Sequence, residues 1–208
     1  MEPTDENLRA WDRAHEPVER GETALPEEVR ASLSDLHGKR VLHIGCGSGA
    51  ATVEFVERGA SVTGIDPSDG ALELARQRGP SVLWIHSELD TLPAELQRGR
   101  FDLAYAGPGT VQEVRDLDLF AGSLAASLRP GGDVLLFDDH PAALCLDGLM
   151  HWREDYFAPG FHRLGQLVGA LGRHALVVRA LEEYPAGAGS FHDERVPGTL
   201  LVHARKAR

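Results

Sequence analysis

The chain has 208 residues, 42% hydrophobic and 25% charged, which suits one core of ordinary size with no disulfide or metal to hold it. Twenty-one basic against 32 acidic residues leave a net charge of −11, which repels phosphate backbones and anionic membranes. Cys46 and Cys145 are too few and too far apart for a disulfide scaffold or a CxxC knuckle, and no apolar run reaches the roughly 18 residues of a membrane span.

The start, MEPTDENLRAWD, is polar and acidic, which is not the pattern of a signal peptide, so a cytoplasmic protein is expected. Residues 1 to about 24 read as a loosely held arm or short helix with Trp11 as its apolar anchor. From Pro26 the stripe Val29, Leu33, Leu36 predicts a helix that His37-Gly38 ends. We take 1–37 as an N-terminal arm and helix, and 38–208 as the main domain.

Strands and helices then alternate. Strands are predicted at 40–44, 61–65, 82–86, 101–105 and 134–137. Helices are predicted at 50–58, closed by Gly59, and at 68–78, with Ser68 as N-cap. A short helix is expected at 93–98. A longer one carries Leu117, Phe120, Leu124 and Leu128 and ends at Pro130-Gly131-Gly132. Residues 138–160 show no period, and Phe161, Leu164, Leu167, Val168 and Leu171 mark another helix. Strands at 175–181 and 199–203 have no helix between them and predict an antiparallel pair. Five strand–helix units and a hairpin imply an α/β fold: a Rossmann-like three-layer sandwich whose seven-stranded sheet is mostly parallel.

Gly45-Cys46-Gly47-Ser48-Gly49 leaves the first strand and opens the first helix. Glycines permit the tight turn and let a ligand touch backbone, while free amides at the helix start add donors. Asp66 ends the second strand about 20 residues on, where a carboxylate can accept from two ribose hydroxyls. The pattern points to a nucleoside-containing ligand without naming it, since Gly45-x-Gly47-x-x-Ala50 also satisfies the dinucleotide fingerprint.

Five segments in order carry a resemblance. They are Val41 to Gly49, Gly64-Ile65-Asp66-Pro67-Ser68, Leu92-Pro93, Phe101-Asp102-Leu103 and Leu128-Arg129-Pro130-Gly131-Gly132. Together they resemble the class I S-adenosylmethionine-dependent methyltransferases, closest to bacterial small-molecule types with an N-terminal Trp-Asp pair, here Trp11-Asp12.

The resemblance implies S-adenosylmethionine as cofactor. Gly45, Cys46, Gly47 and Gly49 would line its methionine and ribose part, and Asp66 would hold the ribose hydroxyls. Pro67 and Ser68 would sit beside the adenine. Glu88 would accept from the adenine amino group and the Leu89 amide would donate to the ring. Ala106 would lie near the methionine end. The chain departs from the family at His43, where an acid is usual, and at Glu88, where Asp is usual.

Methyl transfer from a sulfonium needs alignment more than acid–base help. His140, after Asp138-Asp139 at the end of the fifth strand, is the candidate catalytic base. Tyr105, Thr110, Trp152, Tyr156 and Phe157 are candidates for an acceptor pocket. Asp138, Asp139, His140 and His151 are metal-capable. The segment faintly resembles the Asp-Asn pair of cation-dependent O-methyltransferases, but those enzymes also place an Asp where this chain has Ala106-Gly107, so no metal is expected.

The expected function is methyl transfer to an oxygen, nitrogen or carbon atom of a small molecule. Two alternatives stand beside it: a non-catalytic accessory subunit that binds the cofactor, and an NAD(P)-dependent oxidoreductase. Nucleic acid and membrane partners are not expected, whereas a homodimer or a partner subunit could complete the pocket.

Overall fold

The computed structural model describes residues 25–146, 151–185 and 195–208. The expected arm with Trp11 lies outside them. Backbone contacts divide the chain into two compact units, Met1–Leu89 and Asp90–Arg208.

The first unit runs α1 (Glu27–Ser32), β1 (Arg40–Ile44), α2 (Ala50–Glu57), β2 (Ser61–Asp66), α3 (Asp69–Arg78) and β3 (Leu83–His86). Its strands pair in parallel, with Val41 beside Val62 and Ile65 beside Ile85. α1 stops short of the expected stripe because Leu33 is extended. The Ser32 hydroxyl donates back to Glu28 O, and Asp35 accepts from the His37 amide, so local polar side chains compete with the helix. Leu36 is buried from a loop instead. α2 and α3 match expectation closely, and the Ser68 hydroxyl accepts from Ala71 N as the N-cap of α3.

Trp84 organises the core of this unit with Cys46, Leu72 and Ala75, and its indole N–H donates to Gly79 O at 2.9 Å. A Cβ at Gly64 would stand 2.5 Å from the indole ring, and one at Gly49 would stand 2.6 Å from it. These two glycines therefore make room for Trp84, a packing duty that the motif alone does not reveal.

The second unit runs β4 (Phe101–Ala106), α4 (Thr110–Glu113), α5 (Leu117–Ser127), β5 (Leu128–Asp139), a 3-10 turn (Ala143–Cys145), α6 (Leu164–Arg173), β6 (Leu176–Pro185) and β7 (Pro197–Lys206). The helix expected at 93–98 is only a turn, closed by Leu96 N to Pro93 O and by the Gln97 side chain on Leu92 O. β5 starts earlier than expected. Leu128 already pairs with Phe101, and the Pro130–Gly132 corner is taken up as an irregularity before Leu103 meets Asp133. Lys206 Nζ donates to Ala125 O and Leu128 O at the end of α5.

All seven strands form one sheet in the order β3-β2-β1-β4-β5-β7-β6. β7 runs antiparallel to both its neighbours, and its pairing with β6 is the one that the missing helix between the last strands predicted.

Candidate functional site

In the first unit, the turn after β1 has positive φ at Gly45 (65°), Gly47 (51°) and Gly49 (83°). Side chains with a Cβ rarely adopt that conformation, so only a glycine-rich run follows this path. The turn is closed by Gly49 N to Cys46 O and tied to β2 by Cys46 N to Ile65 O. No side chain caps the N-terminus of α2, which Gly49 opens. That end favours an anionic group such as an amino-acid carboxylate.

Asp66 is buried at the carboxyl end of β2. Its Oδ2 accepts from Gly47 N at 2.8 Å and its Oδ1 accepts from Ser68 N at 2.9 Å. Two backbone amides thus hold the carboxylate at the glycine turn. The chain around it is also positioned from Asp66, whose carbonyl accepts from Ser87 N. A fixed carboxylate beside the glycine turn fits a ribose diol, and so fits the ribosyl part of S-adenosylmethionine.

The other predicted residues of this unit divide. Pro67 and Ser68 are half-buried beyond β2, Glu88 is exposed and Leu89 is buried beyond β3. The Cys46 side chain turns into the Trp84 cluster, so only its backbone can face a ligand; burial and the Asp66 charge push its thiol well above the usual range. His43 is 3% exposed, its Nδ1 lies 2.7 Å from Thr52 Oγ1, and Phe55 meets it edge-on. Burial lowers its pKa to about 3, so the ring is neutral at physiological pH.

Ala106 and His140 lie in the second unit. Ala106 is buried at the carboxyl end of β4. His140 is buried, its Nδ1 accepts from Ala142 N at 3.1 Å, and its Nε2 lies 2.9 Å from Glu183 Oε1. That contact has ion-pair distance but poor hydrogen-bond alignment. The Ala142 amide occupies Nδ1 and so places the ring proton on Nε2, which faces Glu183 without a hydrogen bond.

The candidate acceptor residues are dispersed in character. Tyr105 and Thr110 are buried, whereas Trp152 and Phe157 are exposed. Tyr156 packs edge-on against Phe157 at 5.4 Å and near Phe161 at 5.8 Å, with Arg163 over the Phe157 ring. A groove of about 680 Å³ opens nearby, lined by Arg115, Phe161, His162, Arg163 and Gln166 among others. Its size is that of a small-molecule pocket. Among the described residues, no three His, Cys, Asp or Glu side chains gather as a metal site. None of the described helices is long and apolar enough to cross a membrane.

Sequence reasoning missed the part played by Asp138. It is 2% exposed, and its carboxylate accepts from Gly109 N at 2.6 Å, Val111 N at 2.7 Å and Asp139 N at 2.8 Å. The available signal was an acid closing an apolar strand while a Gly-Pro-Gly turn closes its neighbour.

A family model described as a methyltransferase domain matches residues 41–132. A solved S-adenosylmethionine-dependent methyltransferase from Mesorhizobium loti is 26% identical, with a TM-score of 0.72 over 86% of this chain and 96% of that one. Over those residues the chain is similar to the S-adenosylmethionine-dependent methyltransferases. A second such structure, from Listeria monocytogenes, has a TM-score of 0.73 at 22% identity over 87% of this chain and 97% of its own, and shows the shared fold. Among curated relatives of the chain is a ubiquinone biosynthesis O-methyltransferase of Bradyrhizobium sp., 37% identical over 110 residues. That match covers 51% of this chain and 42% of the relative. The namesake from Rhodopseudomonas palustris is 38% identical over 53% of this chain and 44% of its own. The chain thus spans less than half the length of these relatives. S-adenosylmethionine is the cofactor for which both matched structures are named.

Proposed function

We propose that this methyltransferase moves the methyl group of S-adenosylmethionine to an oxygen atom of a small-molecule acceptor. The observation that carries the cofactor half is Asp66, a buried carboxylate held by the Gly47 and Ser68 amides at the glycine turn. Oxygen is favoured because the relatives that share half the chain are named as O-methyltransferases.

When bound, the cofactor supplies a methyl group already activated by the positive sulfur. The acceptor oxygen forms the new carbon–oxygen bond as the carbon–sulfur bond breaks, and the electron pair stays on sulfur. The protein's own part is alignment and exclusion of water. Asp66 would hold the ribose hydroxyls, and the amides of the glycine turn would lie along the cofactor. Pro67, Ser68, Glu88 and the Leu89 amide would meet the adenine, and Ala106 the methionine end. A hydroxyl acceptor gives up its proton, and His140 is our candidate to take it. It can do so only if Nδ1 releases the Ala142 amide.

Calorimetric titration with S-adenosylhomocysteine, with NADH as control, tests the reading. We expect saturable binding of the first alone, lost in Asp66→Ala. Binding of NADH alone would overturn the assignment. Binding without methyl transfer to any of a panel of phenols and catechols would favour a non-catalytic accessory role.

A further inference from the structure

The turn that follows β4 is Gly107-Pro108-Gly109-Thr110, with Gly109 at a φ of 81°. Two glycines make such a turn costly to order and easy to deform. Its own closure is one long backbone bond, Thr110 N to Gly107 O at 3.2 Å. Yet the chain from 109 to 114 is held from outside at both ends. The Asp138 carboxylate takes the Gly109 and Val111 amides at one end. At the other end, Gln112 Nε2 donates to His162 O, Gln112 Oε1 accepts from His162 N, and the His162 ring donates to Val114 O.

Asp138 supplies the charged tether. Bonds from neutral amides to a carboxylate are shorter and stronger than amide–amide bonds, and both of these are short. Ligands of open α/β sheets bind beyond the carboxyl ends of strands, and this turn leaves that end of β4. We propose that Asp138 is a positioning residue for catalysis: its carboxylate fixes the shape of the turn that leaves the carboxyl end of β4, the end at which ligands of such sheets bind. The inference rests on the methyltransferase reading and adds a residue to it.

Burial pushes the Asp138 carboxyl up to about 6, against the three amides that favour its charge. Asp139 is the adjacent charge on its own strand and raises it further. Facing it, His162 and Arg163 line with it a cavity of about 10 Å³, room for about one water. Protonation replaces an acceptor with an O–H that confronts an amide N–H, so the turn loses a tether in mild acid.

The test measures S-adenosylhomocysteine affinity from pH 8 to pH 5 in the wild type and in Asp138→Asn, alongside the Gly109 and Val111 amide resonances. We expect wild-type affinity to fall about tenfold across this range, with the two amides titrating at the same midpoint. Asp138→Asn should bind about tenfold more weakly at pH 7.5 and show no such pH dependence. Wild-type affinity in Asp138→Asn, or amides that titrate while affinity stays flat, would overturn the proposal. If Asp138→Asn does not fold, coincidence of the two wild-type titrations decides it either way. Failure of the wild type to bind at pH 7.5 overturns the functional reading itself, and the positioning role falls with it.

Discussion

Single side chains in this protein show how a motif residue can serve the fold and the ligand separately. Gly47 gives its amide to Asp66, while Gly49 and Gly64 leave space for Trp84. His140 illustrates the reverse. Its place after Asp138-Asp139 at the end of a strand suggested a base, and the structure occupies Nδ1 with the Ala142 amide and leaves Nε2 near Glu183 without a hydrogen bond. A general base must offer a lone pair to the acceptor. If His140 takes the proton, His140→Ala should lower kcat on the true acceptor by about 100-fold and leave S-adenosylhomocysteine affinity unchanged. Unchanged kcat would remove His140 from the chemistry and leave it a structural link between the β5 end and β6.

At the scale of elements, local chemistry fixed most boundaries. Ser68 caps α3, Gly59 follows α2 with a φ of 86°, and Asp116 accepts from Asp118 N and Leu119 N to start α5. Ser68 was also expected beside the adenine, and its two contributions can be separated. Its hydroxyl caps the helix, whereas its backbone amide holds Asp66. Ser68→Ala should therefore destabilise the protein by about 1 kcal/mol in urea unfolding. It should change S-adenosylhomocysteine affinity by less than about threefold, since the amide remains. A large loss of affinity at unchanged stability would place the hydroxyl in the binding site instead. Of the elements that were misread, the early start of β5 is imposed by a distant contact, its pairing with β4. The short α1 and the turn at 93–98 instead yield to local side chains, Ser32 and Asp35 in the first and Gln97 on Leu92 O in the second.

For the whole molecule, two buried groups set opposing dependences of stability on pH. His43 is held to about 3 when folded, below its ordinary value, so the unfolded chain binds the extra proton as pH falls below about 6.5. That stability is full above 6.5 and is lost toward pH 3. Asp138 stands at about 6 when folded, above its ordinary value, so the folded chain binds the extra proton between about 4 and 6. Its contribution rises as pH falls through that window. The two slopes, each up to about 1.4 kcal/mol per pH unit, oppose each other there. In urea unfolding between pH 4 and pH 6, His43→Gln should make stability rise with acid relative to wild type, and Asp138→Asn should make it fall more steeply. Parallel curves for all three proteins would show that neither group titrates as its burial dictates.

The sequence by itself determined the α/β class, the mostly parallel sheet with an antiparallel end, the glycine turn and the acid at the end of β2. Each of these rests on residues close in the chain, through period, turn chemistry or helix capping, and such signals are local. Only the tertiary structure decided that Cys46 faces the Trp84 core, that His140 is buried beside Glu183, and that Asp138 holds a turn nearly thirty residues before it. Burial and hydrogen-bond partners depend on which strands become neighbours, and neighbours in a parallel sheet are separated by whole helices in sequence.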